Sequence, residues 1–280
     1  MINIIQHKNP FSLDVFRKML QNGKHELVLS YYTICEVAAP LKVPHSKTNV
    51  MDFLNNLESL PHTFSNSGAG ITRSELQAAN AFYPNPTYED INPFVQRFDH
   101  AICLEGNPST KLFLNYSLAE IVWDLHCSGS LLGLSQYSER MKETMKTDRS
   151  LENPPSVCSA FLRTVEQDIQ DLQLSIHPQE ILSLGKWIYE NPLRCPSLRL
   201  NFEMWHEIRK NKTDFLVDSD LEDYQHLSLL PYIDFMTLDK RMHAYTSQVL
   251  RRLNLNYGRR IFTSSEELIQ NLTSDSHHVR

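Results

Sequence analysis

The sequence predicts an α/β fold in which a parallel sheet carries helices on its faces and a long, mostly helical stretch is inserted. Two observations predict it. Strand-like and helix-like segments alternate at the start of the chain and again from about residue 195 onward, which is the pattern of βαβ units. Between about Val50 and Leu182 the apolar spacing is helical and strand-like alternation is scarce, so that region reads as helices and no repeat period shows in it.

Taken in order, the chain opens on a short apolar run, MINII, followed by a helix from Ser12 (SLDVFRKMLQNG) with Ser as N-cap and Gly23 near its end. HELVLSYYTICEVAAPL then reads as a strand, ELVLS, feeding a helix that Ser30 or Thr33 caps and Pro40 disturbs. The helical middle comprises MDFLNNLESL, TRSELQAANAF, INPFVQRFDHAICL, FLNYSLAEIVWDL and SAFLRTVEQDIQDLQL. Proline-bearing breaks at Pro84 to Pro86 and Asp148 to Pro155 read as loops inside one domain. The last third gives a helix ending near Lys210, a strand-like DFLV, an acidic helix, the strand IDFMTL, the helix MHAYTSQVLRRL, the strand RRIFT and a closing helix SSEELIQNL.

With 280 residues, 41% of them hydrophobic, the chain is long enough to bury a sizeable core without staples. Its 27 Lys and Arg against 33 Asp and Glu leave a formal charge of −6, which excludes a global basic field as the means of holding nucleic acid or an anionic membrane. Five cysteines stand far apart with no CxxC pair, so neither a disulfide framework nor a structural zinc site is expected. The N-terminus lacks a basic segment followed by a long apolar one, and no window approaches the roughly 18 apolar residues of a membrane span. The expected location is the cytoplasm, away from any membrane.

The chemistry-bearing stretch is DSDLEDYQHLSLLPYIDFMTLDKRM, Asp218 to Met242, with five aspartates and one glutamate around an apolar run. Asp220 and Asp223, three apart on a helix, share a face. For Asp218 and Glu222 the plainer alternative is capping and the helix dipole, a matter of a few tenths to about 1 kcal/mol, which does not explain Asp234 and Asp239. Asp234 and Asp239 bracket a short apolar strand, and ligands of open parallel sheets bind outside the strands' carboxyl ends, where Asp239 falls. Glu36 sits at the start of the helix after ELVLS, at the same edge. Carboxylates gathered there repel one another, and Mg²⁺ or Mn²⁺ would relieve them, because hard cations prefer carboxylate and water oxygens. The plainer alternatives are a solvent-facing Glu36 and an Asp239 that caps the following helix or pairs with Lys240 or Arg241. His226, three residues after Asp223, shares its helix face; a lone helical histidine is more often packed or solvated than functional. Lys240, Arg241, Arg251, Arg252, Arg259 and Arg260 cluster late in the chain, where they either meet a phosphate backbone or simply solvate helix faces.

LVLSYYTICEV, the late Ser219-Asp220-x-x-Asp223 helix, the run LPYIDFMTLDKRM and the final RRIFTSSEELIQNL together resemble a PIN-like domain, most closely those of bacterial proteins that carry a helical insertion. The resemblance implies a three-layer α/β/α sandwich with a central parallel sheet, one discontinuous domain with its core in about 1–45 and 195–280 and a helical insertion over about 46–194. It implies a metal-dependent ribonuclease hydrolysing RNA phosphodiester bonds, with Glu36, Asp220 and Asp239 as catalytic acids and Glu36, Asp220, Asp223, Asp234 and Asp239 as ligands of Mg²⁺ or Mn²⁺. Lys240 and Arg241 would bind substrate. One or two ions would activate water and stabilise charge on the scissile phosphate. RNA is the expected partner, with a protein partner or inhibitor and a homo-oligomer as further expectations. The chain departs from the family pattern at its start, where Gln6 or His7 stands in place of the usual first aspartate and Asp14 comes too late. The alternatives this leaves are a weakened site, a site built from the remaining acids, or an altered chain start; a catalytically degenerate module that binds RNA or a protein is the competing reading.

Overall fold

The structure, a computed structural model, describes residues 17–21, 25–43, 45–85, 91–103, 116–130, 133–150, 156–212 and 218–275. The expected MINII strand, Gln6, His7, Asp14 and the DFLV segment lie outside the described residues.

The first strand, β1 (Leu27–Leu29), shows why the chain forms layers. Alternate side chains of a strand point to opposite faces. Leu27 and Leu29 enter one apolar cluster, while Val28 packs on a second. The first cluster is closed by α1 (Tyr31–Ala38), α2 (Lys47–Glu58), α4 (Phe98–Cys103) and α5 (Leu118–Cys127), through Ile34, Val37, Leu54, Leu57, Phe98 and Val122. The second contains Leu200, Met204 and Ile208 of α9 (Pro196–Lys210), Met236 of β4 (Met236–Thr237), Met242, Val249 and Leu250 of α11 (Lys240–Leu253), and Ile261 of β5 (Ile261–Phe262). Helical layers therefore lie on both sides of β1. Burying each such side chain is worth about 1.5–3 kcal/mol, enough for this alternation to fix which face is which.

The architecture is mixed α/β with helix dominant. β2 (His62–Ser65) runs parallel to β1, with Leu29 opposite Phe64, and β3 (Phe94–Val95) is antiparallel to β2. β4 and β5 form a second, parallel two-stranded ladder, with Met236 opposite Ile261. Among the described residues, then, the strands make two small ladders. β2 and β3 are the strands within the mostly helical middle: HTFS is too short, and too polar at three of its four positions, to stand out as a strand until pairing with β1 supplies its hydrogen bonds. Within INPFVQRFDHAICL, likewise, the helix α4 forms only from Phe98, because Phe94 and Val95 are taken by β2.

A third cluster joins α7 (Val157–Asp171) and α8 (Pro178–Glu190) to α3 (Gly68–Phe82) and α9 through Phe161, Val165, Leu184, Ile188, Leu76 and Leu198. A further helix, α6 (Gly133–Ser150), contributes Met145 to the second cluster. Two further helices among the described residues are α10 (Asp218–His226), which runs into a 3₁₀ segment Leu227–Tyr232, and α12 (Ser265–Asp275). Cys35, Cys127, Cys158 and Cys195 are free thiols. No helix among the described residues is long and apolar enough to cross a membrane.

Candidate acidic site

α1 begins at Ser30, which has extended backbone and a side chain that accepts the Thr33 N–H at 3.0 Å. This cap sets the helix in register directly after β1 and so carries Glu36, on the second turn, toward α10. Pro40 ends the run by opening a 3₁₀ turn, Ala39–Lys42. Ile34, Cys35, Val37 and Ala38 are buried, which leaves Glu36 as the polar position of the helix's middle.

His226 bridges the two elements. Its Nε2 lies 3.1 Å from Glu36 Oε1 and its Nδ1 3.2 Å from Ser30 Oγ, and the Tyr32 ring meets it edge-on at 6.3 Å. With Nε2–H donating to Glu36, Nδ1 accepts the Ser30 hydroxyl, whose oxygen accepts from Thr33; every polar atom of the chain of bonds is then satisfied. His226 is thus the residue that sequence reasoning undervalued. The signal available for it was its spacing of three from Asp223.

Asp223, one helical step back on α10, accepts the backbone N–H of Asp239 at 3.1 Å. Burial pushes its carboxyl above the ordinary range; the Asp239 N–H pulls it back, the negative charges of Asp239 and Glu36 raise it further, and His226 opposes them. Two further carboxylates, from α1 and from the N-terminus of α11, therefore add to the upward push on Asp223. Asp239 itself has extended backbone and accepts the Met242 N–H at 2.7 Å, so it is the N-cap of α11. The plainer reading of Asp239 describes this arrangement, and the capped helix end gives its charge a favourable place to sit.

Asp220 and Asp234 stand differently from the expectation. Asp220 is 1% exposed and is gripped by Arg241 through Nε, at 3.1 Å, and through a terminal nitrogen. Its negative charge is matched by a guanidinium, which offsets part of the cost of keeping a carboxylate out of water. Asp234 is exposed and precedes β4, so it lies at that strand's amino end, opposite the edge where Asp239 follows the strand. It lines an open groove of about 1180 Å³ with Arg194, Tyr232 and Arg260. The chain order puts Asp234 before β4 and Asp239 after it, so the expected ligand Asp234 stands at the other end of the strand from Asp239. Side chains of Asp218, Ser219 and Glu222 lie outside the described residues.

The late cations are largely committed. Arg252 binds Glu203 and Glu207, Arg260 donates to the Pro231 and Ile233 carbonyls, and Arg251 donates to the Ser247 carbonyl. Lys240 is exposed at the first turn of α11. Among the described residues no three His, Cys, Asp or Glu side chains already stand together as a metal-binding group. In donor chemistry, however, Glu36, Asp223 and Asp239 suit a hard divalent cation, because all offer carboxylate oxygens. Compared with protein-family models, with curated proteins and with solved structures, the chain matches none.

Proposed function

We propose that this chain is a PIN-like, metal-dependent ribonuclease of the cytoplasm, with Glu36, Asp223 and Asp239 as the acids that would hold Mg²⁺ or Mn²⁺. The observation that supports this reading is that α1, α10 and the start of α11 bring together carboxylates from positions up to about two hundred residues apart, Glu36 through His226 of α10 and Asp223 through the Asp239 N–H, with Asp239 and Glu36 adding to the upward push that burial gives Asp223. When bound, the cation supplies a Lewis acid for the phosphodiester and lowers the pKa of the attacking water. His226 holds the Glu36 carboxylate through Nε2, and Ser30 holds the imidazole through Nδ1. Asp239 presents its charge from a rigid helix end. The two parallel strand pairs, β1 with β2 and β4 with β5, and the helical layers on both sides of β1 agree with a PIN-like sandwich without amounting to a single central sheet.

A second reading, the degenerate module that binds RNA or a protein, is favoured by one specific observation: Asp220 is spent on Arg241. Both readings are tested by heating purified protein, and by incubating it with RNA and with DNA, in Mn²⁺ or in chelator. Mn²⁺ at about a hundred times its Kd should stabilise by about 2.7 kcal/mol, a rise of several degrees in Tm. Asp223→Asn should lose most of that rise and all RNA cleavage. RNA binding without cleavage would favour the degenerate module, and an absence of any Mn²⁺ effect in the wild type would sink the metal-dependent reading.

A further inference from the structure

We infer that the groove lined by Arg260 is a docking site for the carboxyl-terminal end of an apolar peptide, and that the Arg260 guanidinium takes the terminal carboxylate. The groove includes Asp234, at the amino end of β4, and so lies at the other end of that strand from Asp239 and the acidic site. Arg260 stands directly before β5 and is half-buried in the groove wall. Its Nη1 donates to the carbonyls of Pro231 and Ile233, at 3.3 and 3.0 Å, and its guanidinium carbon lies 5.2 Å from the centre of the Tyr257 ring. These contacts fix the plane of the cation and occupy one of its corners. The edge formed by Nε and Nη2 is the one that forks onto a carboxylate. Arg97 places that edge on Asp99, Arg241 on Asp220 and Arg252 on Glu203. The same edge of Arg260 meets no carboxylate among the described residues, although Asp234 and Glu190 line the groove with it. A lysine ammonium could serve the two carbonyls equally well; the fork is what only arginine supplies.

The rest of the groove selects the occupant. It holds about 1180 Å³ and is open, whereas a small-molecule site encloses about 300–1,000 Å³. Tyr232, Tyr257, Phe94 and Leu193 give it apolar walls, and Leu193 is 60% exposed, so that a partner's apolar side chain would cover it. Tyr232 is held in place by its hydroxyl, which donates to Glu75 at 2.6 Å. Asp234 and Glu190 add negative charge, which repels a polyanion such as RNA and suits a peptide with one terminal carboxylate and a basic residue upstream. The groove's other arginine, Arg194, lies over the Trp187 ring, 5.3 Å from its centre. Capture of a chain's terminal carboxylate beside pockets for its side chains is an established mode of peptide recognition.

The test presents the full-length protein with two arrays of peptides anchored by their N-termini and randomised toward their ends, one with a free terminal carboxylate and one with a terminal amide. The peptides retained best are then labelled with fluorescein, as acid and as amide, and titrated by anisotropy against the wild type, Arg260→Gln, Arg260→Lys and Leu193→Ser. The acid should bind the wild type about 10-fold more tightly than the amide, the worth of one charge-assisted fork. Arg260→Gln should abolish that ratio. Arg260→Lys should lower it severalfold while keeping the carbonyl contacts, so it decides the matter even if Arg260→Gln misfolds. Leu193→Ser, at an exposed position that the fold does not need, should weaken acid and amide alike. Arrays that retain neither set, or both equally, overturn the inference, as does an acid-to-amide ratio that Arg260→Lys leaves unchanged or an affinity that Leu193→Ser leaves unchanged. Displacement of the peptide by N-acetyl-leucine at equal concentration would make this a site for small carboxylates, and displacement by a short single-stranded RNA would make it a phosphate site; either result also overturns the peptide assignment.

Discussion

Glu75 is the fully buried carboxyl of this protein that sequence inspection passes over. It sits on α3, and its oxygens accept the N–H groups of Ser197 and Leu198, at 2.8 and 3.0 Å, and the hydroxyl of Tyr232 at 2.6 Å. Burial pushes its pKa from 4.5 up to about 7, against the pull of those three donors. The folded carboxyl therefore holds a proton that the unfolded chain has already released between pH 4.5 and about 7. Its contribution to stability is complete below 4.5 and lost as pH rises through about 7. Asp168, raised to about 7 by burial and by the charge of Asp171, acts in the same direction. Tm should accordingly fall as pH rises from about 5 to about 8. Glu75→Gln should make that fall shallower while leaving the share due to Asp168, and thermal melts across this range check it. An unchanged pH slope in the variant would remove Glu75 from the account.

At the scale of elements, helix ends decide where charge accumulates. α1, α3, α5 and α7 begin at Ser30, Ser67, Ser117 and Ser156, each accepting an N–H of its own first turn. α11 begins at Asp239, which does the same for Met242. Replacing Asp239 by Ala should cost about 1 kcal/mol in chelator, whereas Asp239→Asn should cost less, since Asn caps nearly as well. Chemical denaturation of the two variants checks the order. Equal losses would mean that the charge of Asp239, not its capping oxygen, is what α11 needs. α9 differs from these helices: its N-cap residue, Cys195, makes no side-chain cap, and Glu75, 122 residues before Ser197, does the capping instead.

At the scale of the whole molecule, the middle of the chain is woven into the rest. β2, within the stretch expected as an insertion, pairs with β1. α3 contributes Ile71 to the second cluster and Leu76 to the third, and α9 contributes Met204 and Leu198 to the same two. Cutting the chain near residues 46 and 194 would expose both clusters at once. Limited proteolysis should therefore release no stable fragment of residues 46–194, and denaturant unfolding monitored by tryptophan fluorescence and by circular dichroism should give coincident curves. A persistent fragment of that span would show that the third cluster stands alone.

Local chemistry was legible in the sequence. The Ser30 cap, the break at Pro40, the helices over TRSELQAANAF and MHAYTSQVLRRL, and the strand in RRIFT all follow from spacing and capping within a few residues, and such interactions are written in neighbouring letters. The acidic character of Asp218 to Met242 was legible in the same way. Which of those acids faces which partner was not. Asp220 meets Arg241 across 21 residues, His226 meets Glu36 across 190, and Glu75 meets the start of α9 across 122. A carboxylate has the same local signature whether it caps a distant helix, pairs with an arginine or waits for a cation. Only the packing of α10 against α1 and α11 fixes the distances that separate those roles, because electrostatic and hydrogen-bond energies depend on separation in space and on burial, neither of which is carried by position along the chain.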